Sequence, residues 1–323
     1  MKVLAGDIGG TKTAVALVEF SGKRASIEKL SVYPSAGHAS LEEILGEYLR
    51  TAGPAPAAAG FGVAGAVIQG RAQITKLPWV VDERAVSRAT GIGRVRVIND
   101  FVAAAYGIPY VGPRRLKVLQ PGRAERGGPV CLIGAGTGLG EAGLIEHQGR
   151  RIAIASEGGH TDFGPRNPVE DGLVRFVRKK FGRVTDDRLL SGEGLTLIYD
   201  FLRASKIAKE SASVARAFEG TDRAAVISRH GLGGRDRLTR EALRLFVSIY
   251  GSVAGNLALQ YRATGGVFLG GGIAPKILRA LEGPLFLESF RDKPPYEDLL
   301  ARIPVRVVLD PHLPIFGAAA AAY

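Results

Sequence analysis

The chain has 323 residues, 46% of them hydrophobic and 23% charged, and a formal net charge of +12. This length supports two domains with separate cores, and the composition is ordinary for a globular protein. The single cysteine, Cys131, excludes a disulfide framework and, with only five histidines, argues against structural zinc. Asp7 interrupts the first apolar run, so we expect no signal peptide, no apolar stretch of membrane-spanning length and a cytoplasmic location.

The positive charge raises a nucleic-acid-binding hypothesis, best supported by residues 175–183, where cations alternate with phenylalanines. Phe176, Val177 and Phe181 lie near helical spacing, so we favour an amphipathic helix with a solvated basic face and expect no nucleic-acid partner. A positive surface also attracts anionic substrates such as nucleotides or polyphosphate.

The first motif in chain order is a turn of small residues between two strand-like runs, within residues 4–19. Its glycines let the backbone approach an anion and take positive φ, and a hydroxyl and a cation follow them: Gly6, Gly9, Gly10, Thr11 and Lys12. Asp7 would repel a phosphate unless Mg²⁺ lay between them. The motif is not a Walker A loop, because strand-like alternation follows Thr13. Taken alone, an ordinary Gly-rich hairpin is the alternative.

Strands and helices then alternate, which indicates an α/β fold. We predict a helix over 40–51, strands over 59–64 and 95–98, a loop-like connection over 109–129, and a second unit that opens with a strand at Val130. Further along we predict charged helices over 204–240 with a break at 231–234, one long helix over 241–264, a strand over 305–309 and an Ala-rich helix over 314–323. The expected domains are a small one, 1–108 plus about 304–323, and a large one, 109–303.

A second Gly-rich segment matches the dinucleotide-binding pattern G-x-G-x-x-G at Gly138, Gly140 and Gly143. That pattern should open a helix, whereas the residues that follow predict a β-hairpin. A second phosphate-contacting turn fits better, with Gly136 and Thr137 supplying N–H and hydroxyl donors. Two such hairpins facing each other would clamp an oligophosphate from both sides.

A third glycine cluster, Gly270–Gly272, lies between an apolar strand and a predicted helix whose first turn suits Pro275. Its bare backbone could lie against a base or ribose, and a plain strand-to-helix turn is an equal alternative.

Candidate substrate residues form two groups. Asn99 and Asp100 follow a strand of β-branched residues, at a carboxyl strand end where α/β proteins bind ligands, although a helix N-cap explains such residues equally well. Glu157 and His160 flank two glycines that permit a sharp bend, so their side chains could converge on neighbouring hydroxyls.

Together these segments resemble the bacterial hexokinase-type glucokinases of the sugar kinase and actin-like ATPase superfamily. The matching segments run in family order over nearly the whole chain: 4–12, 77–79, 97–105, 133–140, 156–160, 191–195 and 269–273. The Cys-rich zinc motif of the repressor and open-reading-frame sugar kinases (ROK) is missing, because the chain has one cysteine.

The resemblance implies a two-lobed, actin-like (ribonuclease H-like) α/β fold, with glucose and ATP in a cleft between the lobes. It implies that Asp100 is the general base for the sugar 6-hydroxyl, that Asn99, Glu157 and His160 bind the sugar, and that Asp7 positions Mg²⁺ directly or through water. The residues expected at the nucleotide are Gly6, Asp7, Ile8, Gly9, Gly10, Thr11, Lys12, Gly136, Thr137, Gly138, Gly270, Gly271 and Gly272. The implied activity is an ATP-dependent hexose kinase at the first step of glycolysis, and a homodimer is the family expectation.

One residue departs from the family pattern. Asp187 stands where the family usually has a Glu that binds the sugar, and Asp is one methylene shorter. It stays a candidate sugar ligand, through a small backbone shift or a water. Three alternatives to an ATP-dependent glucokinase stay open: a polyphosphate-dependent glucokinase, a non-catalytic sugar-sensing regulator with the same fold, and a nucleic-acid binder.

Overall fold

A computed structural model describes residues 1–22, 24–74 and 77–323. The strands are β1 (Lys2–Ile8), β2 (Lys12–Ser21), β3 (Arg24–Pro34), β4 (Ala58–Val63), β5 (Val67–Ile68), β6 (Arg71–Gln73), β7 (Val80–Asp82), β8 (Arg94–Asn99), β9 (Leu116–Gln120), β10 (Val130–Ala135), β11 (Leu139–His147), β12 (Arg150–Ser156), β13 (Gly266–Gly270) and β14 (Val305–Val308). The helices are α1 (Leu41–Ala52), α2 (Glu83–Thr90), α3 (Asp100–Gly107), α4 (Pro168–Phe181), α5 (Asp186–Leu189), α6 (Gly192–Ala204), α7 (Ala212–Ala217), α8 (Arg223–Gly233), α9 (Arg237–Gln260), α10 (Leu278–Leu281), α11 (Pro284–Arg291), α12 (Glu297–Arg302) and α13 (Leu313–Ala322). The predicted α/β class is confirmed.

The chain forms two compact units. Unit 1 comprises residues 1–116, 142–155 and 310–323, and unit 2 comprises residues 117–141 and 156–309. The domains predicted from sequence divide the chain at 108/109 and near 304 instead, and they assign the 142–155 segment to the large domain.

Unit 1 is built on the sheet β3-β2-β1-β4-β8. The first three strands in sequence pair antiparallel, whereas β1, β4 and β8 run parallel, so their carboxyl ends lie at one edge. Alternation along β1 sends Leu4 and Ile8 into a core that includes α1, and Val3 and Ala5 into a second core that includes α13. Helices therefore cover both faces, as a sheet containing parallel strands requires.

Glycines set how closely α13 approaches the rest of unit 1. A side chain at Gly60 would collide with the carbonyl group of Ala318, and one at Gly317 would collide with the carbonyl group of Ala103. These contacts hold α13 against β4 and α3, and thereby fix the position of the helix that Asp100 begins.

Unit 2 contains most of the sheet β12-β11-β10-β13-β14-β9, in which β10, β13 and β14 run parallel. Strands β11 and β12 are joined by Gln148 and Gly149, both with positive φ (50° and 72°), as a tight hairpin turn requires. The hairpin predicted after the second Gly-rich segment is thus confirmed, and the dinucleotide-binding alternative fails on structural context.

Several local predictions are confirmed, and three need correction. The helix over 40–51 and the strands over 59–64 and 95–98 appear as α1, β4 and β8. The connection over 109–129 contains strand β9, because Gln120 is buried and donates to the Leu300 and Ile303 carbonyls. The long helix begins four residues earlier than predicted, at Arg237, because the Asp236 side chain caps it. Pro275 lies in a run of turns before α10 rather than in its first turn.

The basic segment 175–183 falls largely within α4. Val177 is fully buried, and Phe176 and Phe181 pack against the unit 2 core. The amphipathic-helix interpretation is therefore confirmed.

Helix α9 corrects the expectation that no apolar stretch reaches membrane-spanning length. Its 24 residues have that length and apolarity. Most of the helix is buried, and it packs against α11, α8 and α6, so it serves as the central core helix of unit 2.

Candidate functional site

The first Gly-rich turn connects β1 to β2 in unit 1. The Gly9 N–H donates to the Lys12 carbonyl (3.1 Å). Ser35 stabilises the turn from outside: its Oγ donates to the Gly9 carbonyl (2.8 Å), and its backbone N–H donates to the Thr11 carbonyl (3.0 Å). Within the part of the chain that the structure describes, the N–H groups of Gly10 and Thr11 donate no hydrogen bond. Two successive N–H groups without an acceptor are suited to an anion.

Gly6 and Ile8, two of the predicted residues of this motif, are buried within β1 rather than lying in the turn. Gly6 is buried within β1, where a Cβ would come within 2.8 Å of the Phe61 ring, and Ile8 is fully buried in the core. Neither Gly6 nor Gly9 has the positive φ expected of it, because regular pairing with β2 extends through Ile8. Gly6 is therefore required here for close packing.

Asp7 lies near the carboxyl end of β1, beside Gly62 of β4. Burial raises the pKa of its carboxyl group, and the nearby Lys12 ammonium opposes that shift. Among the described residues no group of three or more His, Cys, Asp or Glu side chains could hold a metal ion. Mg²⁺ commonly binds through one or two carboxylates, substrate phosphates and waters, and Asp7 beside the open N–H groups of the turn fits that donor set.

Asn99 and Asp100 are placed at the same edge of the sheet by β8. Asn99 Oδ1 accepts from the N–H groups of Phe101 (2.8 Å) and Val102 (3.2 Å), so Asn99 is the N-cap of α3. Its Nδ2 donates to the Gly65 carbonyl (3.2 Å), and the second Nδ2 hydrogen has no acceptor among the described residues.

Asp100 begins α3, and its Oδ1 accepts from the Phe101 N–H (2.9 Å). A Cβ on Gly62 would lie 2.9 Å from the Ala103 Cβ and 3.5 Å from the Asp100 Cα. Gly62, which the sequence analysis did not single out, thus lets the start of α3 pack closely on β4.

The second Gly-rich turn connects β10 to β11 in unit 2. The Gly136 N–H donates to the Gly138 carbonyl (2.8 Å), and the Gly192 N–H at the start of α6 donates to the Gly136 carbonyl (3.0 Å). Gly136 was predicted as an N–H donor to phosphate, and this is corrected because its N–H is used inside the turn. The N–H groups of Thr137 and Gly138 donate no hydrogen bond within the described residues. This turn, like the first, therefore has two successive open N–H groups, that is, groups without an acceptor among the described residues.

Asp187 of α5 contacts this turn. Its Oδ1 accepts from the Leu139 N–H at 2.7 Å, and a Cβ on Gly138 would lie 2.5 Å from the same oxygen. The side chain predicted to bind sugar therefore packs against the phosphate motif.

Glu157 precedes a single 3₁₀ turn, Gly158–His160, and His160 ends it; the His160 N–H donates to the Glu157 carbonyl (3.0 Å). Residues three apart in such a turn lie on the same side, and both side chains are exposed. Side chains at Gly158 and Gly159 would collide with the Glu141 carboxylate and the Leu139 carbonyl. The predicted sharp bend is confirmed, and it rests on the strand that follows the second Gly-rich turn.

A cavity of about 1110 Å³ opens beside the second Gly-rich turn, within unit 2. It brings together the predicted residues Gly136, Thr137 and Gly272. Gly270 is paired inside the sheet, and Gly271 has a φ of +75° because it passes close to the Ala135 carbonyl.

The cavity wall also contains polar residues that the sequence analysis missed: Glu193, Asp222, Ser228, Arg229 and Lys276. Glu193 lies on α6, Asp222 caps α8, Ser228 and Arg229 lie on α8, and Lys276 lies in the turns between β13 and α10. No local pattern marks them, since only tertiary packing brings them together. The wall thus combines two cations, Arg229 and Lys276, and two carboxylates, Glu193 and Asp222, with apolar residues, a lining that suits a ligand with both polar and apolar portions.

The chain is similar to known proteins over nearly its whole length. A sequence model of the family described as Glucokinase matches residues 4–323. The glucokinase of Nostoc punctiforme is 40% identical over 336 aligned positions, covering 99% of this chain and 98% of the relative. The crystal structure of a glucokinase from an Antarctic psychrotroph superposes with a TM-score of 0.88 at 31% identity, covering 99% and 98% of the two chains.

A more distant structure has the same fold. A ROK family glucokinase from Streptomyces griseus, solved in complex with glucose and AMPPNP, has a TM-score of 0.65 and 22% identity over 100% of this chain and 99% of its own. The mixed α/β architecture is thus that of the sugar kinases.

Proposed function

The chain belongs to the glucokinase family, and we propose that it transfers the γ-phosphate of ATP to the 6-hydroxyl of glucose, giving glucose 6-phosphate and ADP. The observation that carries the proposal is the pair of turns with open donors, at Gly10 and Thr11 in unit 1 and at Thr137 and Gly138 in unit 2. Phosphoryl transfer depends mainly on positioning and charge stabilisation, which such backbone donors supply.

ATP is the proposed donor. The large cavity of unit 2 has a ligand-sized volume, lies beside Thr137, and carries the cations Arg229 and Lys276. The Streptomyces griseus neighbour binds an ATP analogue together with glucose, which supports the same pair of substrates here.

Mg²⁺ is the proposed metal, held by Asp7 together with phosphate oxygens and water. When bound, it would neutralise charge on the phosphates. Lys12 is exposed beside Asp7 and adds a second positive charge at this turn.

Asp100 is the proposed general base. Its carboxylate accepts the proton of the 6-hydroxyl as that oxygen bonds to the γ-phosphorus and the bond from phosphorus to the ADP oxygen breaks, a role worth roughly 10² to 10⁴ in rate. Asn99 Nδ2, Glu157 and His160 are proposed to hold ring hydroxyls. An epimer that leaves such groups unpaired loses binding energy, which gives sugar selectivity.

The cellular setting is also a proposal. A reducing cytoplasm is supported by the single cysteine, Cys131, which is free and buried. A homodimer and a place at the first step of glycolysis follow from the family resemblance.

The test is ADP release by the wild-type protein with glucose, mannose, fructose or N-acetylglucosamine at equal concentrations, and with Mg-ATP or polyphosphate as donor. We expect turnover selective for glucose and for Mg-ATP. Turnover with polyphosphate alone, or none with any pair, would overturn the proposal.

A further inference from the structure

Four successive N–H groups, from Gly136 to Leu139, form the second Gly-rich turn and its exit into β11. The first donates to Gly138 within the turn (2.8 Å), and the last donates to Asp187 Oδ1 (2.7 Å). The two between them, on Thr137 and Gly138, donate to no atom of the described residues. Asp187 therefore provides the acceptor for the last of the four N–H groups, directly after the two that have no acceptor.

The backbone on both sides of Asp187 is held by hydrogen bonds to its surroundings. Thr185 caps α5, since its Oγ1 accepts from the Arg188 N–H (3.3 Å), and the Asp186 N–H donates to the Thr161 carbonyl (3.3 Å). Asp187 Oδ1 also lies where a side chain on Gly138 would stand, so that glycine is required for the contact. The anchored side chain can thus orient the turn.

The length of the side chain matters for this contact. A Glu, which the family resemblance leads one to expect, would carry its carboxylate one methylene farther from α5. Asp keeps the carboxylate against Gly138 and Leu139. The substitution therefore gives the residue a backbone partner in the phosphate turn.

Leu139 also contacts the predicted sugar loop. Its carbonyl packs directly against Gly159, where any side chain would collide with it. Asp187 thus holds the N–H of a residue whose carbonyl supports the bend between Glu157 and His160.

We propose that Asp187 is a positioning residue for the phosphate turn: by accepting from Leu139, it holds the Thr137 and Gly138 N–H groups toward the phosphates of ATP. The inference rests on the proposed function, and it revises the prediction that Asp187 is a sugar ligand.

The test compares Asp187→Ala with Asp187→Asn, because Asn keeps an oxygen that can accept from Leu139 and loses only the charge. KM for Mg-ATP, KM for glucose and the Kd of Mg-AMPPNP are measured for each variant. For Asp187→Ala we expect KM for Mg-ATP and the AMPPNP Kd to rise about tenfold, the loss expected for one charge-assisted hydrogen bond, with KM for glucose nearly unchanged. Asp187→Asn should restore most of the nucleotide affinity.

Three results would overturn the inference. A rise in KM for glucose in both variants, with nucleotide affinity unchanged, would make Asp187 a sugar ligand. Equal loss of nucleotide affinity in both variants would show that charge, and not the hydrogen bond, matters. No change in any constant would show that Asp187 positions nothing. Circular dichroism and the variant Asp171→Asn, an exposed carboxylate on α4, control for folding and for loss of one charge.

Binding of AMPPNP separates this inference from the proposed function. Suppose that Asp187→Ala binds AMPPNP more weakly than the wild type, that Asp187→Asn restores most of the affinity, and that the wild type phosphorylates no sugar. The proposed function then fails and the role of Asp187 stands. If the wild type phosphorylates glucose and these differences in AMPPNP affinity are absent, only the inference fails.

Discussion

The sheet that contains β1 and the sheet that contains β10 share a strand order but carry different residues where that strand ends. In each, the first strand (β1 or β10) has a hairpin on one side and two parallel strands on the other. Each first strand ends in a Gly-rich turn with two open N–H groups, at Gly10 and Thr11 or at Thr137 and Gly138. The common architecture therefore provides two backbone anion sites.

The difference lies in the side chains around those turns. Counting from Gly9 and Gly136, unit 1 has Asp7 and Lys12 where unit 2 has Gly134 and Leu139. Unit 1 thus carries a carboxylate and a cation in its own hairpin. Unit 2 offers backbone donors beside a large cavity and takes its bracing from α5 and α6. One turn therefore has charged side chains of its own, and the other lies beside a cavity large enough for a ligand.

The substitution Asp7→Asn removes the charge that distinguishes unit 1. We expect kcat/KM for glucose phosphorylation to fall at least roughly 10²-fold, because a metal ion supplies several kcal/mol of charge stabilisation. The Mg²⁺ concentration for half-maximal rate should rise, as measured by titration at saturating ATP. Glu19→Gln, at the opposite end of the same strand pair, is the control. An unchanged Mg²⁺ dependence would count against Asp7 as the metal residue.

The substitution Ser35→Ala removes the brace of the unit 1 turn and is the counterpart of the Asp187 variants in unit 2. Ser35 is fully buried, and its Oγ donates to the Gly9 carbonyl. We expect a loss of about 1 kcal/mol in the free energy of unfolding, measured with urea, and a severalfold rise in KM for Mg-ATP. Ser26→Ala, exposed on β3, should change neither. A loss of stability without a change in KM would show that the brace does not shape the phosphate site.

The substitution Glu141→Gln tests a difference in pH-dependent stability between the two regions, since unit 1 has Ala14 at the position that matches Glu141. Burial raises the pKa of Glu141 from 4.5 to about 7, and burial and the Glu141 charge raise that of Asp186 to about 7. The folded state binds these protons more tightly than the unfolded state, so their contribution to stability is present in full below the unfolded pKa and is lost as pH rises from there toward 7. Above that pH both states are ionised and the loss is complete.

We therefore expect Glu141→Gln to be more stable than the wild type at about pH 8 and to depend less on pH between about 5 and 7. Thermal unfolding across that range measures both effects. Glu146→Gln, exposed on the same strand, should follow the wild-type profile. Parallel profiles for Glu141→Gln and the wild type would contradict the assignment.

Local sequence patterns predicted the hairpins, the Gly-rich turns and the position of Asp100 after β8. They also predicted a bend between Glu157 and His160, because two adjacent glycines require little tertiary context. What they could not predict depends on distant packing. Strand β9 is such a case, since Gln120 finds its acceptors about 180 residues away.

The candidate site shows the same limit. Arg229 and Lys276 line the same cavity only because α8 packs near the turn after β13, and no spacing in the sequence predicts that they do. Asp187 was found as a departure from a family pattern, but its partner Leu139 lies 48 residues earlier. Gly6 shows the same limit, because no pattern in the Gly-rich motif indicates that the strand needs a glycine there for packing against Phe61.

The most direct test of the central claim is kcat for glucose phosphorylation by Asp100→Asn, compared with Asp171→Asn, which also removes a carboxylate from the first turn of a helix. If Asp100 accepts the 6-hydroxyl proton, kcat falls roughly 10² to 10⁴-fold in Asp100→Asn and is unchanged in the control, while AMPPNP still binds. Wild-type turnover by Asp100→Asn would contradict the account of this site.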